Sequence, residues 1–112
     1  MTIAVTNLGT LTSATSGTSQ KPEDANSKFQ RGDTLEAVIQ PTNGAFVGTA
    51  KIQGTNDLDS VADGSATWTD LLTFVAPASN SGSKCGVVTA MRRMRLTVST
   101  FTSGSVDGLL LA

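Results

Sequence analysis

The sequence predicts an all-β protein, a small antiparallel two-sheet β-sandwich of jelly-roll or immunoglobulin-like kind with an extended N-terminal arm or loop. Three observations predict it. Apolar residues alternate with polar ones in about six to eight short segments, the period of strands that bury one face. No segment shows helical spacing. Gly, Asn, Pro, Ser and Thr punctuate the segments, as turns between strands require. A length of 112 residues suits one modest core. Residues 1–33 are read as an N-terminal strand and flexible arm or loop and 34–112 as the sandwich, a single domain overall.

Taken in order, Thr2 to Leu8 alternates Ile3 and Val5 with polar neighbours and reads as an edge strand. Gly9 to Lys28 has almost nothing to bury, which predicts a long loop, or an arm that becomes ordered on a neighbouring subunit. Thr34 to Gln40 sets Leu35, Ala37 and Ile39 on one strand face. Pro41-Thr42-Asn43-Gly44 then predicts a tight hairpin, because Asn-Gly tolerates the positive φ such turns demand. Beyond it, Phe46, Gly48, Ala50 and Ile52 face inward, opposite Val47, Thr49, Lys51 and Gln53. Gly54 to Gly64 is a polar connection, and Trp68, Leu71, Leu72, Phe74 and Val75 restore an apolar segment. Cys85 to Ala90 and Met91 to Thr100 follow as strands, the second with Met94, Leu96 and Val98 opposite Arg93, Arg95 and Thr97. Ser103-Gly104-Ser105 predicts a turn. The last strand, Val106 to Ala112, is apolar on both faces, with Leu109 and Leu111 opposite Val106 and Leu110. A two-layer domain has no third layer to cover that second face, so Leu109 and Leu111 are expected at a subunit interface, with Arg93 and Arg95 as further interface candidates.

Charge and composition narrow the functions. Eight basic residues against nine acidic ones give no global field for nucleic acid or an anionic membrane. Neither is expected as a partner, and MRRMR lacks interleaved aromatics for base stacking. One cysteine, Cys85, excludes an internal disulfide and fits synthesis in a reducing cytoplasm. No signal-peptide pattern or bilayer-length apolar run is present. The absence of His removes the usual general base, and no cofactor or enzymatic activity is expected. Asp57, Asp59 and Asp63 are weak calcium candidates in NDLDSVADG, where the EF-hand spacing fails at Val61. Arg31-Gly32-Asp33 spells an adhesion tripeptide but reads more simply as a turn entering the next strand. Trp68 is expected in the core, with an exposed sugar-stacking platform as the other reading. Cys85 is expected to be a small, half-buried, unreactive residue.

The order of GTAKIQGTND, Trp68 and RRMRLTVSTFTSG is similar to that of β-sandwich virion proteins of tailed bacteriophages. In those sequences a phrase such as G-x-V-x-I-x-G-S-N-D, followed by Trp, precedes R-[YF]-[VLI]-R-V and T-S-G; Met94 stands here where the aromatic is usual. The likeness runs from Thr34 onward. It implies a scaffold without catalytic residues and, most closely, a capsid decoration (cement) protein. Such a protein would be made in the bacterial host cytoplasm and sit on the capsid exterior of the virion. Its implied partners are the major capsid protein and further copies of itself, as a trimer or dimer. A tail, neck or fibre subunit is the nearest alternative, and a carbohydrate-binding adhesion module is the alternative from another class.

Overall fold

A computed structural model of the chain describes residues 5–22, 32–76 and 83–111, with the backbone course alone for 43–45. Among them run five strands: β1 (Val5–Leu11), β2 (Thr34–Thr55), β3 (Thr69–Ala76), β4 (Lys84–Thr89) and β5 (Arg93–Leu111). All pairings are antiparallel. The protein is therefore all-β, as the alternation predicts.

The spine is the β2–β5 ribbon, which pairs from Glu36↔Leu111 to Thr55↔Arg93. β4 lines the first part of the other edge of β2 and β3 lines the later part. β1 lines the C-terminal half of β5. Thr15 to Gln20 lies along its N-terminal half, where Gly17 N–H donates to Leu96 O and Val98 N–H to Thr15 O, both at 2.8 Å. The sheet curls until β3 and β4 face each other and the barrel is nearly closed. At that seam a Cβ on Gly86 would sit 2.8 Å from Leu72 Cδ1, so the missing side chain makes room for the leucine.

Neither predicted turn reverses the chain. Pro41–Gly44 lies inside β2 and Ser103–Ser105 inside β5, and the two stretches sit opposite each other. The register slips between Thr42 and Phe46, and again on either side of Gly48 and Thr49, so both strands bulge and the ribbon bends at one corner. Gly104 supplies a positive φ of 87° there, and at Gly48 a Cβ would collide with the Thr100 carbonyl. Bulges and hairpins call on the same residues, and only the partner strand separates them; here both flanks of Asn43-Gly44 pair with β5. Phe46 fills the inside of the corner, with the rings of Phe74 and Phe101 at 6.3 and 6.4 Å.

The core joins Leu8, Leu35, Ile39, Ile52, Leu96 and Leu110 with their buried neighbours. The expected inward set of Phe46, Ile52, Leu96 and Val98 is all buried. The N-terminal region differs from expectation. Among the described residues its first strand is Val5–Leu11, which runs past the expected end at Leu8; Leu8 is a core residue, and Thr15 to Gln20 is bonded to β5 within the same chain. Of the expected arm and first strand, residues 23–28 and 2–4 lie outside the described residues.

Candidate functional site

Two surfaces gather the residues singled out by the sequence. The first is built on the connection from Asn56 to Trp68, which folds over the outer face of the sheet near Arg93 and Arg95. Asp57 Oδ2 accepts from Thr67 N–H at 2.7 Å, and Asn56 Oδ1 accepts from Arg92 N–H at 2.9 Å, so side chains pin both ends of the loop. One turn of 3-10 helix, Asp63–Ser65, presents Asp63 to its surroundings. Its Oδ1 accepts from Arg93 Nη1 at 2.7 Å and from Ser19 Oγ at 2.9 Å, and its backbone carbonyl accepts from Trp68 Nε1 at 2.9 Å. One residue thus ties the N-terminal segment, β5 and the only tryptophan together.

The three calcium candidates are not brought to one point. Asp57 serves Thr67, Asp59 pairs with Lys21 at 2.8 Å, and Asp63 pairs with Arg93. Among the described residues no group of three acidic or other ligating side chains forms a metal cage. The Lys21 ammonium, hydrogen-bonded to Asp59, holds that carboxyl below its ordinary value.

Arg93 is engaged within the chain. Its side chain is 7% exposed, and Nη2 reaches Leu58 O at 3.4 Å. The loop covers it, which a strand period cannot foretell. Arg95 is half-buried and differently bound: Nε donates to Gln53 Oε1 at 2.9 Å, and the guanidinium lies 4.1 Å from the centre of the Trp68 ring. Gln53 Nε2 in turn donates to Asp70 Oδ1 at 2.8 Å, and Lys51 Nζ donates to Asp70 Oδ2 at 3.0 Å. Those two donors, Gln53 first, pull the Asp70 carboxyl below its usual range; burial lowers the pKa of Arg95. Trp68 is half-buried on the outer face and outside the core cluster, contrary to expectation. The Arg95 guanidinium stacks on the ring at the place a sugar would take on that face.

The second surface is the outer face of the other half of the sheet. Register places Val5, Leu111, Glu36 and Val87 in one row across four strands, and Asn7, Leu109, Val38 and Cys85 in the next. Val87 is 74% and Val5 48% exposed, Leu109 and Leu111 are half-buried, and Val38, beside Leu109, is buried. The outward facing of Leu109 and Leu111 is as the alternation predicts. Cys85 is exposed, not half-buried.

Elsewhere, Gly32 with φ 94° donates to Ala90 O, and Ala90 donates to Asp33 O, each at 2.8 Å, so Gly32-Asp33 forms a turn entering β2. Arg31 lies outside the described residues. A groove of about 390 Å³ beside β1, lined by Asn7, Thr10, Leu11, Ser16, Thr18 and Gln20 among others, has no ionisable side chain in its lining. No helix among the described residues is long and apolar enough to cross a membrane. Comparison with known proteins found no matching family model, no matching curated protein and no matching solved structure.

Proposed function

We propose that this chain is a structural assembly protein, and in particular a decoration (cement) protein on the exterior of a tailed-phage capsid. It binds the major capsid protein across neighbouring subunits and associates with itself as a trimer or dimer. The observation that carries this reading is the outer face on which Val5, Leu109, Leu111 and Val87 lie within two rows four strands wide, an apolar cluster interrupted by Glu36 that no other described residue fully covers. Principal extents of 38 × 35 × 17 Å support a finer description of the fold as two layers. Sheets stacked about 10 Å apart give such a slab, with the corner at Gly48 and Gly104 passing the ribbon from one layer to the other. A slab of this kind offers two broad faces, one with the apolar cluster around Leu109 and Leu111 and one with Lys51, Asp70 and Arg95. Bridging two coat subunits adds its own contacts to those that must break when they part, and repetition over a symmetric shell multiplies a small gain.

The test is Leu109→Asp and Leu111→Asp, each placing a charge in the contact. Sedimentation should show loss of self-association, and pull-down on stripped particles should show loss of binding, with the far-ultraviolet spectrum unchanged. Unchanged mass together with unchanged binding refutes the reading. Copy number separates the decoration role from a tail, neck or fibre subunit: hundreds per particle against tens.

A further inference from the structure

On the charged face, we infer that Arg95 is a preformed receptor for a single carboxylate, the side chain of an Asp or Glu presented by a partner protein. The inference rests on the assembly reading only in naming a protein as the carrier of that carboxylate. Three constraints fix the guanidinium: the β5 backbone, the Nε hydrogen bond to Gln53 at 2.9 Å, and the Trp68 ring at 4.1 Å. The constraining groups are themselves held, Trp68 by the Asp63 carbonyl and Gln53 by Asp70, which Lys51 anchors in turn. Every link in this chain is used except its end. Neither Nη1 nor Nη2 of Arg95 has an acceptor among the described residues.

Arg93, two positions away on the same face, gives the contrast. It spends both terminal nitrogens inside the protein, on Asp63 and on Leu58 O. Arg95 keeps the planar fork that matches a carboxylate with two parallel hydrogen bonds. Its rotamer freedom is already lost to Trp68 and Gln53, so a ligand does not bear that entropy cost. Partial burial disfavours the lone charge, and an incoming anion offsets it. The surroundings select the kind of anion. Asp70 lies one hydrogen-bonded residue away through Gln53, and the field of Asp63 is felt at Arg95. Each of these carboxylates is already paired, Asp63 with Arg93 and Asp70 with Lys51, so one uncompensated positive charge is left at Arg95, which a monoanionic carboxylate neutralises and a dianion would overshoot.

Trp68 is the one tryptophan, so its emission reports on the site without a label. The full chain is titrated with N-acetyl-Gly-Glu-Gly-amide, with the Gln counterpart, and with inorganic phosphate at equal ionic strength. The Glu peptide alone should give a saturable change, with a dissociation constant on the order of millimolar. Arg95→Gln should weaken it about tenfold or more, and Arg95→Lys, which keeps the charge and loses the fork, severalfold. An equal response to the Gln peptide, or full affinity in Arg95→Gln, overturns the site. Tighter binding of phosphate overturns the assignment to a carboxylate. Should Arg95→Gln fail to fold, Arg95→Lys decides, and undiminished affinity in it overturns the proposal. The assay uses the isolated chain and no particle, so its failure is distinct from failure of the Leu109 and Leu111 test.

Discussion

Two aspartates in one loop form ion pairs of nearly equal length, and burial alone separates their worth. Asp63 meets Arg93 at 2.7 Å with Arg93 only 7% exposed, whereas Asp59 meets Lys21 at 2.8 Å with 38% of the lysine and 52% of the aspartate side chain exposed. Asp63→Ala leaves a guanidinium without its counter-ion under the loop and strips Ser19 of its acceptor. Removing one partner of a buried pair costs about 3 to 5 kcal/mol. The lower end, about 3 kcal/mol, applies here because Asp63 is itself 35% exposed. At roughly 4 °C per kcal/mol for a domain of this size, the melting temperature should fall by about 12 °C. Asp59→Ala should be silent, since solvent screens an exposed pair. The double variant Asp63→Ala/Arg93→Met should recover most of the loss by removing the stranded charge. Thermal and urea unfolding followed by circular dichroism give all three values. Equal losses in Asp63→Ala and Asp59→Ala, or no recovery in the double variant, would refute the reasoning from burial.

Deleting residues 1–19 removes β1 and the Thr15 to Ser19 stretch along β5, so the isolated protein should lose its cooperative melt. Leu8→Ala, a milder cut at a residue 2% exposed, should cost about 2 to 5 kcal/mol by chemical denaturation. For pH, the Asp70 carboxyl is held below its ordinary value of 3.8, so the folded state favours its charged form. That stabilisation is complete above 3.8 and is lost as pH falls through the lowered folded value. Asp70→Asn should therefore flatten the acid limb of the melting curve while leaving the curve above pH 5 parallel to that of the unaltered protein; an unchanged acid limb would contradict the assignment.

Facing was legible in the sequence wherever it depends on the backbone period alone. Val106 and Leu110 point in, and Leu109 and Leu111 point out, because neighbouring strand residues must alternate. The fate of a face was not legible where a distant segment covers it. Arg93 and Arg95 share one side of β5, yet the loop from Asn56 to Trp68 buries the first and leaves the fork of the second open. Trp68 misled for a related reason: a large aromatic needs cover, and a stacked guanidinium with a carbonyl for its N–H supplies part of it outside the core. Asp70 and Gln53 carried no motif at all. They meet because a register shift at Ile52/Gln53 brings Gln53 opposite Asp70.

The β2–β5 ribbon also sets an order of events for a chain leaving the ribosome. Its pairs range from Thr55 with Arg93, the nearest in sequence, to Glu36 with Leu111, the farthest. Closing the shorter loop costs less entropy, so the ribbon zips from the Asp63–Arg93 end towards the apolar rows at Val38 and Leu109. Until β5 emerges, the nascent protein carries a 22-residue strand whose long edge has no template, and β5, which follows the other described strands in the chain, supplies it. The sticky rows are consequently assembled only when the rest of the fold is already in place, which shortens the time in which crowded nascent chains can cross-pair.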